Sequence, residues 1–240
     1  MKAGATFPAL LLLGQLAAMG QNGWFAQNSG TGSRLFSCHF LDAQTGWVVG
    51  GPEALTTTDG GNNWSPGPGT PPSANNGVYF VNRSLGWMVG PGAAILKTSD
   101  SGSNWTPQNN VTGKSLIAVH FPSADTGWAV GDTVLHTVNG GSTWVPQNFP
   151  NRARLYSIYA VDGNTAWAVG DNRIYNTTDG GANWARQYTG SVFLYEDVYF
   201  VNSNMGWVVG GICTDFPWSC ASEILKTENG GDTWVSVMIP

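Results

Sequence analysis

The segment Thr57-Thr-Asp-Gly-Gly-Asn-Asn-Trp64 decides the fold, because close copies of it recur four more times along the chain. The copies are Thr98-Ser-Asp-Ser-Gly-Ser-Asn-Trp105, Thr137-Val-Asn-Gly-Gly-Ser-Thr-Trp144, Thr177-Thr-Asp-Gly-Gly-Ala-Asn-Trp184 and Thr227-Glu-Asn-Gly-Gly-Asp-Thr-Trp234. Their tryptophans are separated by 41, 39, 40 and 50 residues. A unit repeated at about 40 residues indicates a solenoid or a propeller.

A second set of tryptophans keeps the same period, and each is followed three positions later by glycine. These residues are Trp47, Trp87, Trp128, Trp167 and Trp207. Two markers with one period indicate a single structural unit in five copies. We therefore expect the five tryptophans to occupy equivalent sites.

Each unit contains four short segments rich in β-branched and aromatic residues. In the second unit they are residues 78–81, 86–90, 94–98 and a fourth that begins at Trp105 and ends at Pro107. Asn, Ser, Gly and Asp separate the segments, and no helical period is present. The sequence predicts an all-β fold, a β-propeller of four-stranded antiparallel blades with five repeats visible.

The repeated turn joins the third and fourth segments, and its residue types explain it as a structural element. Glycine supplies positive φ, and the Asp or Asn side chain can bind the amides of its own turn. The tryptophan that follows is expected to cover the turn and pack between blades. The positions assigned this structural role are Asp59, Asp100, Asn139, Asp179, Asn229, Trp64, Trp105, Trp144, Trp184 and Trp234.

The pattern Ser/Thr-x-Asp-x-Gly-x-Thr/Asn-Trp is the Asp-box, or BNR repeat. Combined with Gly-Trp-x-Val-Gly and Ile-Leu-Lys-Thr, it resembles the photosystem II assembly factor family Ycf48 over residues 24–238. The resemblance implies a non-catalytic, exported scaffold that binds a protein partner, such as a photosystem II reaction-centre subunit. Asp-boxes also occur in sialidases and glycanases, so a glycan-active enzyme or a glycan-binding lectin is the alternative.

Residues 1–20 have the pattern of a signal peptide. Lys2 precedes an apolar run over residues 9–14, and small residues follow at 18–20. The run is too short for a membrane span. We expect a single mature domain over residues 21–240 without a membrane span, located in the periplasm, the thylakoid lumen or outside the cell.

The two chain ends compete for one structural position. Trp24 lies 40 residues before Trp64 and has the spacing of a fourth strand, while residues 234–238 form another. The simplest closed ring has five blades, in which one of these segments completes a blade and the other lies at an edge.

The three cysteines predict one disulfide and one free thiol. Cys213 and Cys220 bracket the only large insertion and would close a small loop in an oxidising compartment. Cys38 aligns with valine or isoleucine in the other repeats, which predicts a buried, unreactive thiol.

Strand connectivity places the loops between the second and third strands, and those between blades, on the face opposite the Asp-boxes. We call this the loop face. Half of the chain's ten basic residues fall there, with the aromatic residues of the insertion. The candidate binding residues are Arg34, Lys114, Arg152, Arg154, Arg173, Phe216 and Trp218. The competing interpretation is that loops carry charges which strands exclude.

Composition and residue spacing exclude several classes of function. A net charge of −5 with 10% charged residues gives no basic patch for nucleic acid. His39, His120 and His136 lack metal-ligand spacing, so neither a metal nor another cofactor is expected. No serine or cysteine has the setting of a catalytic nucleophile. A sialidase needs three converging arginines and a Tyr–Glu pair, and no motif supports them. We expect no enzymatic activity.

Overall fold

The structure, a computed structural model, describes residues 26–67, 69, 75–150, 154–189, 194–214 and 219–237. All regular secondary structure in these ranges is β-strand, in five separate four-stranded antiparallel sheets. The predicted propeller of four-stranded blades is therefore confirmed.

The blades follow one another along the chain, and each uses four consecutive strands. Blade 1 contains β1 (Ser37–Phe40), β2 (Gly46–Gly50), β3 (Glu53–Thr57) and β4 (Ser65–Pro66). Blade 2 contains β5 (Gly77–Phe80), β6 (Gly86–Val89), β7 (Ile95–Thr98) and β8 (Thr106–Pro107). Blade 3 contains β9 (Leu116–His120), β10 (Gly127–Gly131), β11 (Val134–Thr137) and β12 (Val145–Pro146). Blade 4 contains β13 (Ser157–Ala160), β14 (Ala166–Gly170), β15 (Arg173–Thr177) and β16 (Ala185–Thr189). Blade 5 contains β17 (Leu194–Phe200), β18 (Gly206–Thr214), β19 (Ser219–Thr227) and β20 (Val235–Ser236).

The first strand of each blade is innermost, and successive first strands pack side by side in the order β1, β5, β9, β13 and β17. The hydrophobic core consists of four clusters, and each of them joins two neighbouring blades. Stability therefore comes mainly from packing between blades, where apolar sheet faces leave water.

Three of the four inter-blade clusters contain the same stacked pair. A tryptophan from the second strand of one blade lies flat on a phenylalanine at the end of the first strand of the next. The pairs are Trp47–Phe80, Trp87–Phe121 and Trp167–Phe200, with ring centroids 3.7, 3.5 and 3.6 Å apart. Each of these contacts removes two large apolar rings from water and so helps to hold neighbouring blades together.

The junction between blades 3 and 4 lacks the phenylalanine and compensates within blade 3. Ala160 stands at the phenylalanine position, and the ring of His136 stacks on Trp128 instead, with centroids 3.8 Å apart. Phe149 fills the remaining space against Trp184, 5.6 Å away between centroids. The equivalent tryptophan is thus fully buried in this junction also.

The Asp-box turns have one hydrogen-bond pattern in all five blades. In blade 1 the Thr57 hydroxyl donates to Asp59 Oδ1 at 2.8 Å and accepts from the Gly61 amide at 2.9 Å. Asp59 also accepts from the amide of Asn63 at 2.9 Å. Bonds from the side chain and backbone of Asn63 lower the pKa of Asp59. The turn therefore satisfies its own polar groups.

The same turns also connect blades. The Gly230 carbonyl of blade 5 accepts from Trp167 Nε1 and from Gln187 Nε2, both in blade 4 and both at 3.0 Å. In blade 3 the Gly140 carbonyl accepts from Lys97 Nζ of blade 2 at 2.7 Å. The Asp-box face is thus occupied by bonds that hold neighbouring blades together.

Blades 1 and 5 end the series, and their outer faces are less covered. Within the described residues, β1 and β17 do not share the packed interface found between the other first strands. The Phe40 side chain is 43% exposed, whereas its equivalents Phe80 and Phe200 are at most 1% exposed. Trp207 is partly exposed, whereas the other four tryptophans of its set are buried.

Cys38 is a free cysteine, as predicted, but the prediction that it is buried is wrong, because the residue is exposed. Its equivalents Val78, Val119, Ile158 and Val198 are buried because a preceding blade covers each of them. Cys38 lies on the outer face of blade 1, where the described residues provide no such cover.

The chain ends are partly described. The C-terminal segment supplies β20 and so completes blade 5. Gln27 accepts a bond from Trp64 Nε1 at 3.3 Å at the rim of blade 1. Trp24 and the predicted signal peptide lie outside the described residues.

Candidate partner-binding mouth

The central channel is lined by one aromatic or imidazole ring from each blade. These residues are His39, Tyr79, His120, Tyr159 and Tyr199, and consecutive rings are 4.3 to 5.0 Å apart between centroids. Each pairs across the sheet with the second-strand tryptophan of its own blade. The five rings therefore pack against one another around the channel.

Burial sets the charge of the channel. It lowers the pKa of His39 to about 4 and that of His120 to about 3. It also raises the pKa of Tyr79 to about 12. The rings of His39, His120 and Tyr79 are therefore uncharged at neutral pH, because the low-dielectric surroundings disfavour their charged forms.

A cavity of about 430 Å³ opens at the loop-face end of the channel, and we call it the mouth. One equivalent position from every blade lines it, three residues before the channel-lining residue of the first strand. These residues are Phe36, Asn76, Ile117, Tyr156 and Glu196, joined by Arg154 and Leu194. The mouth therefore combines apolar, aromatic and charged groups around one axis.

Arg154 is the basic group of the mouth, and it contacts two aspartates, Asp132 and Asp171, that lie in different loops. Its Nε lies 3.7 Å from Asp132 Oδ1, and its amide donates to Asp171 Oδ2 at 3.2 Å. The guanidinium remains exposed, so this ion pair contributes little to stability. Arg34 lies beside the mouth with its guanidinium 5.8 Å from the Phe36 ring centroid.

The structure brings only part of the predicted set together. Arg154 lines the mouth and Arg34 contacts a lining residue, whereas Lys114 and Arg173 are not among the lining residues. Arg152, Phe216 and Trp218 lie outside the described residues. Sequence reasoning named the loop face but missed Phe36, Tyr156 and Leu194, although positions 36, 76, 117, 156 and 196 follow the period of the repeat.

A second cavity, of about 460 Å³, lies at the opposite end of the channel. His39, Tyr79 and the turns after the first strands of blades 1 to 3 line it. Its surroundings are the turns that already bond neighbouring blades.

The described residues contain no group of three or more His, Cys, Asp or Glu side chains placed to hold a metal ion. In the same part of the chain, no helix is long and apolar enough to cross a membrane.

Sequence comparison decides the family. The profile described as "Photosynthesis system II assembly factor YCF48" matches residues 16–107 and 70–192. The chain belongs to this YCF48 family. No curated protein sequence gives a significant match.

Solved structures of YCF48 share the fold. A YCF48 bound to D1 peptide is similar at 18% identity and a TM-score of 0.64, over 91% of this chain and 85% of that one. YCF48 from Cyanidioschyzon merolae is similar at 16% identity and a TM-score of 0.56, over 85% of both chains.

An enzyme shares the architecture as well. The Niastella koreensis GH74 enzyme is similar at 20% identity and a TM-score of 0.65, over 84% of this chain. The chain spans only 38% of that enzyme. At these identities the likeness concerns the fold, which hosts both binding proteins and enzymes.

Proposed function

We propose that this YCF48-family chain is a non-catalytic scaffold that holds a polypeptide at the mouth of its loop face. The observation that carries the proposal is the mouth itself, an open cavity of about 430 Å³ lined by all five blades. Family membership supports a role in photosystem II assembly. The sequence pattern of residues 1–20 supports export to the periplasm, the thylakoid lumen or the cell exterior.

The lining favours a peptide segment over a folded surface. Phe36, Ile117 and Leu194 supply apolar contacts, and Arg154 supplies a planar donor for a carboxylate. Glu196 and Asn76 add polar contacts to a peptide backbone. A few polar groups among apolar ones are typical of sites that fix the orientation of a ligand. The partner that fits is a segment with apolar side chains and an acidic group.

The D1 subunit of photosystem II is the partner we propose, because a YCF48 of the same fold is bound to D1 peptide. Overlapping fluorescein-labelled peptides that cover the D1 sequence provide the probe, and fluorescence anisotropy measures binding. We expect at least one peptide to bind. Absence of binding by every peptide would overturn the choice of D1.

Substitutions inside and outside the mouth test where the peptide binds. Arg154→Glu should weaken the binding peptide about tenfold, with a larger effect at low salt, because an attractive charge becomes repulsive. Arg186→Glu is the matched control, since Arg186 is an exposed arginine on the outermost strand of blade 4. Equal affinities for both variants would remove the mouth from consideration.

A glycan-active or glycan-binding propeller is the second candidate, and its support is the likeness to the GH74 enzyme. Reducing-sugar release from soluble polysaccharides and sialic acid release from a fluorogenic substrate test it. Turnover of either substrate would replace the scaffold with an enzyme.

A further inference from the structure

Arg154 is fixed through its backbone, although its side chain is exposed. The Arg154 carbonyl lies so close to Gly170 that a β-carbon at position 170 would overlap it. The next amide, that of Leu155, donates to the Gly131 carbonyl of blade 3 at 3.0 Å. The Arg154 amide itself donates to Asp171 Oδ2 at 3.2 Å. Blades 3 and 4 therefore both hold the backbone from which the guanidinium extends.

Among these contacts, the one from Asp171 depends on a side chain, and that residue has an unusual backbone conformation. Asp171 follows the last glycine of β14, and the equivalent residue of blade 1 is Gly51. Both have positive φ, 37° at Asp171 and 52° at Gly51. This region suits glycine best, although Asp tolerates it better than most residues. Blade 4 thus keeps a carboxylate where glycine would be accommodated more easily, and that carboxylate contacts the basic residue of the mouth.

Blade 3 places a second aspartate at the same position. Asp132 follows the last glycine of β10, as Asp171 follows that of β14. The closest approach of Asp132 to Arg154 is at Nε, on one edge of the guanidinium. The end between the two terminal nitrogens can therefore face the cavity and bind a carboxylate through two parallel hydrogen bonds.

We propose that Asp171 is a positioning residue, which fixes Arg154 for a carboxylate of the peptide bound at the mouth. This role rests on the proposed function. An arginine that is held before the ligand arrives loses less freedom on binding, which favours affinity. The negative charge of Asp171 acts in the opposite direction, because it repels the ligand carboxylate. Asparagine separates the two effects, since it keeps an acceptor oxygen without the charge and also tolerates positive φ.

Two substitutions of Asp171 test the role by fluorescence anisotropy with the D1 peptide that binds. Asp171→Gly removes the acceptor and suits the backbone, so its midpoint in urea unfolding should equal or exceed that of the wild type. Its affinity for the peptide should nevertheless fall about fivefold, as expected when one side chain must be ordered on binding. Asp171→Asn should bind at least as tightly as the wild type. Unchanged affinity in Asp171→Gly, or an equal loss in both variants, would overturn the proposal.

A double-mutant cycle shows whether Asp171 acts through Arg154. In the Arg154→Ala background, Asp171→Gly should change the affinity for the peptide by less than about twofold, because the residue that it positions is gone. The full loss in that background would assign Asp171 a role independent of Arg154 and would contradict the proposal.

Succinate is a carboxylate probe that does not depend on the choice of D1. In an NMR titration, it should shift the Nε–H resonance of Arg154, with a dissociation constant about fivefold higher in Asp171→Gly than in the wild type. That result without binding of any D1 peptide would support the role of Asp171 and remove D1 as the partner. Equal succinate affinities in the two proteins, or no response of Arg154, would overturn the positioning role.

Discussion

The indole of Trp167 lies flat on the ring of Phe200, 15° from parallel, and so joins blade 4 to blade 5. Phe200 in turn meets Trp234 edge-on at 6.0 Å between centroids. One phenylalanine therefore contacts the tryptophan of the preceding blade and the Asp-box tryptophan of its own blade. The same three-ring contact occurs around Phe80 and Phe121.

Phe200→Ala should lower the free energy of unfolding by about 3–5 kcal/mol, because it opens a cavity between two blades. Phe40→Ala is the matched control, since Phe40 occupies the same position but is 43% exposed, and it should cost about 1 kcal/mol or less. Urea unfolding at a low protein concentration measures both. Equal losses would contradict the finding that blade 1 is uncovered on its outer face.

Thr57→Val should cost about 1–2 kcal/mol, because the buried Gly61 amide loses its acceptor. Valine keeps the shape of the side chain, so the effect reports the hydrogen bond. Thr58→Val, at the exposed neighbouring position, should leave the unfolding free energy within about 0.5 kcal/mol of the wild type. Both variants should bind the peptide as the wild type does, since the Asp-box lies away from the mouth. Loss of peptide binding at an unchanged melting temperature would instead assign the function to the Asp-box face.

His120 should make the protein less stable in acid. Its pKa is lowered to about 3 by burial, whereas the unfolded chain takes up a proton near pH 6.5. The unfolded state therefore binds more protons as pH falls from 6.5 toward 3, and about 2 kcal/mol should be lost by pH 5. His120→Tyr introduces the residue found at this position in blades 2, 4 and 5 and should reduce the loss between pH 7 and pH 5 by that amount. The same pH dependence in both proteins would show that His120 does not titrate on unfolding.

Cys213 and Cys220 should form a disulfide, and Cys38 should remain a free thiol. The two residues are directly opposite partners on the antiparallel strands β18 and β19. A bond between them closes a short loop and should stabilise the protein by up to roughly 2–3 kcal/mol. Peptide mapping of the unreduced protein identifies the bond, and alkylation under native conditions should label Cys38 alone. A bond that includes Cys38 would contradict this assignment.

The sequence predicted the blades because the residues that form them recur with the period of the repeat. Glycine at position 206 illustrates why they recur. A β-carbon there would lie 2.6 Å from the ring of Phe200, so the phenylalanine requires the glycine. In blade 4 both members of the pair change together, to Ala160 and Ala166.

Two features of the structure, the exposure of Cys38 and the residues of the mouth, could not be predicted from the repeat period. Aligning Cys38 with buried valines assumed that every repeat has a neighbour on both sides, and a series of blades has two ends. The mouth residues were not predicted for a different reason. Phe36, Asn76, Tyr156 and Glu196 share a position but no chemistry, so a search for recurring residue types passes over them.

That diversity at one position of the mouth has an evolutionary consequence. The glycines, tryptophans and turn threonines that assemble the ring lie elsewhere in each repeat, so folding and recognition are encoded separately. A substitution at Phe36, Tyr156 or Glu196 alters one sector of the proposed binding surface and touches none of those residues. Single substitutions can therefore change which partner is preferred. Relatives with little overall sequence identity can keep the propeller fold and bind different partners.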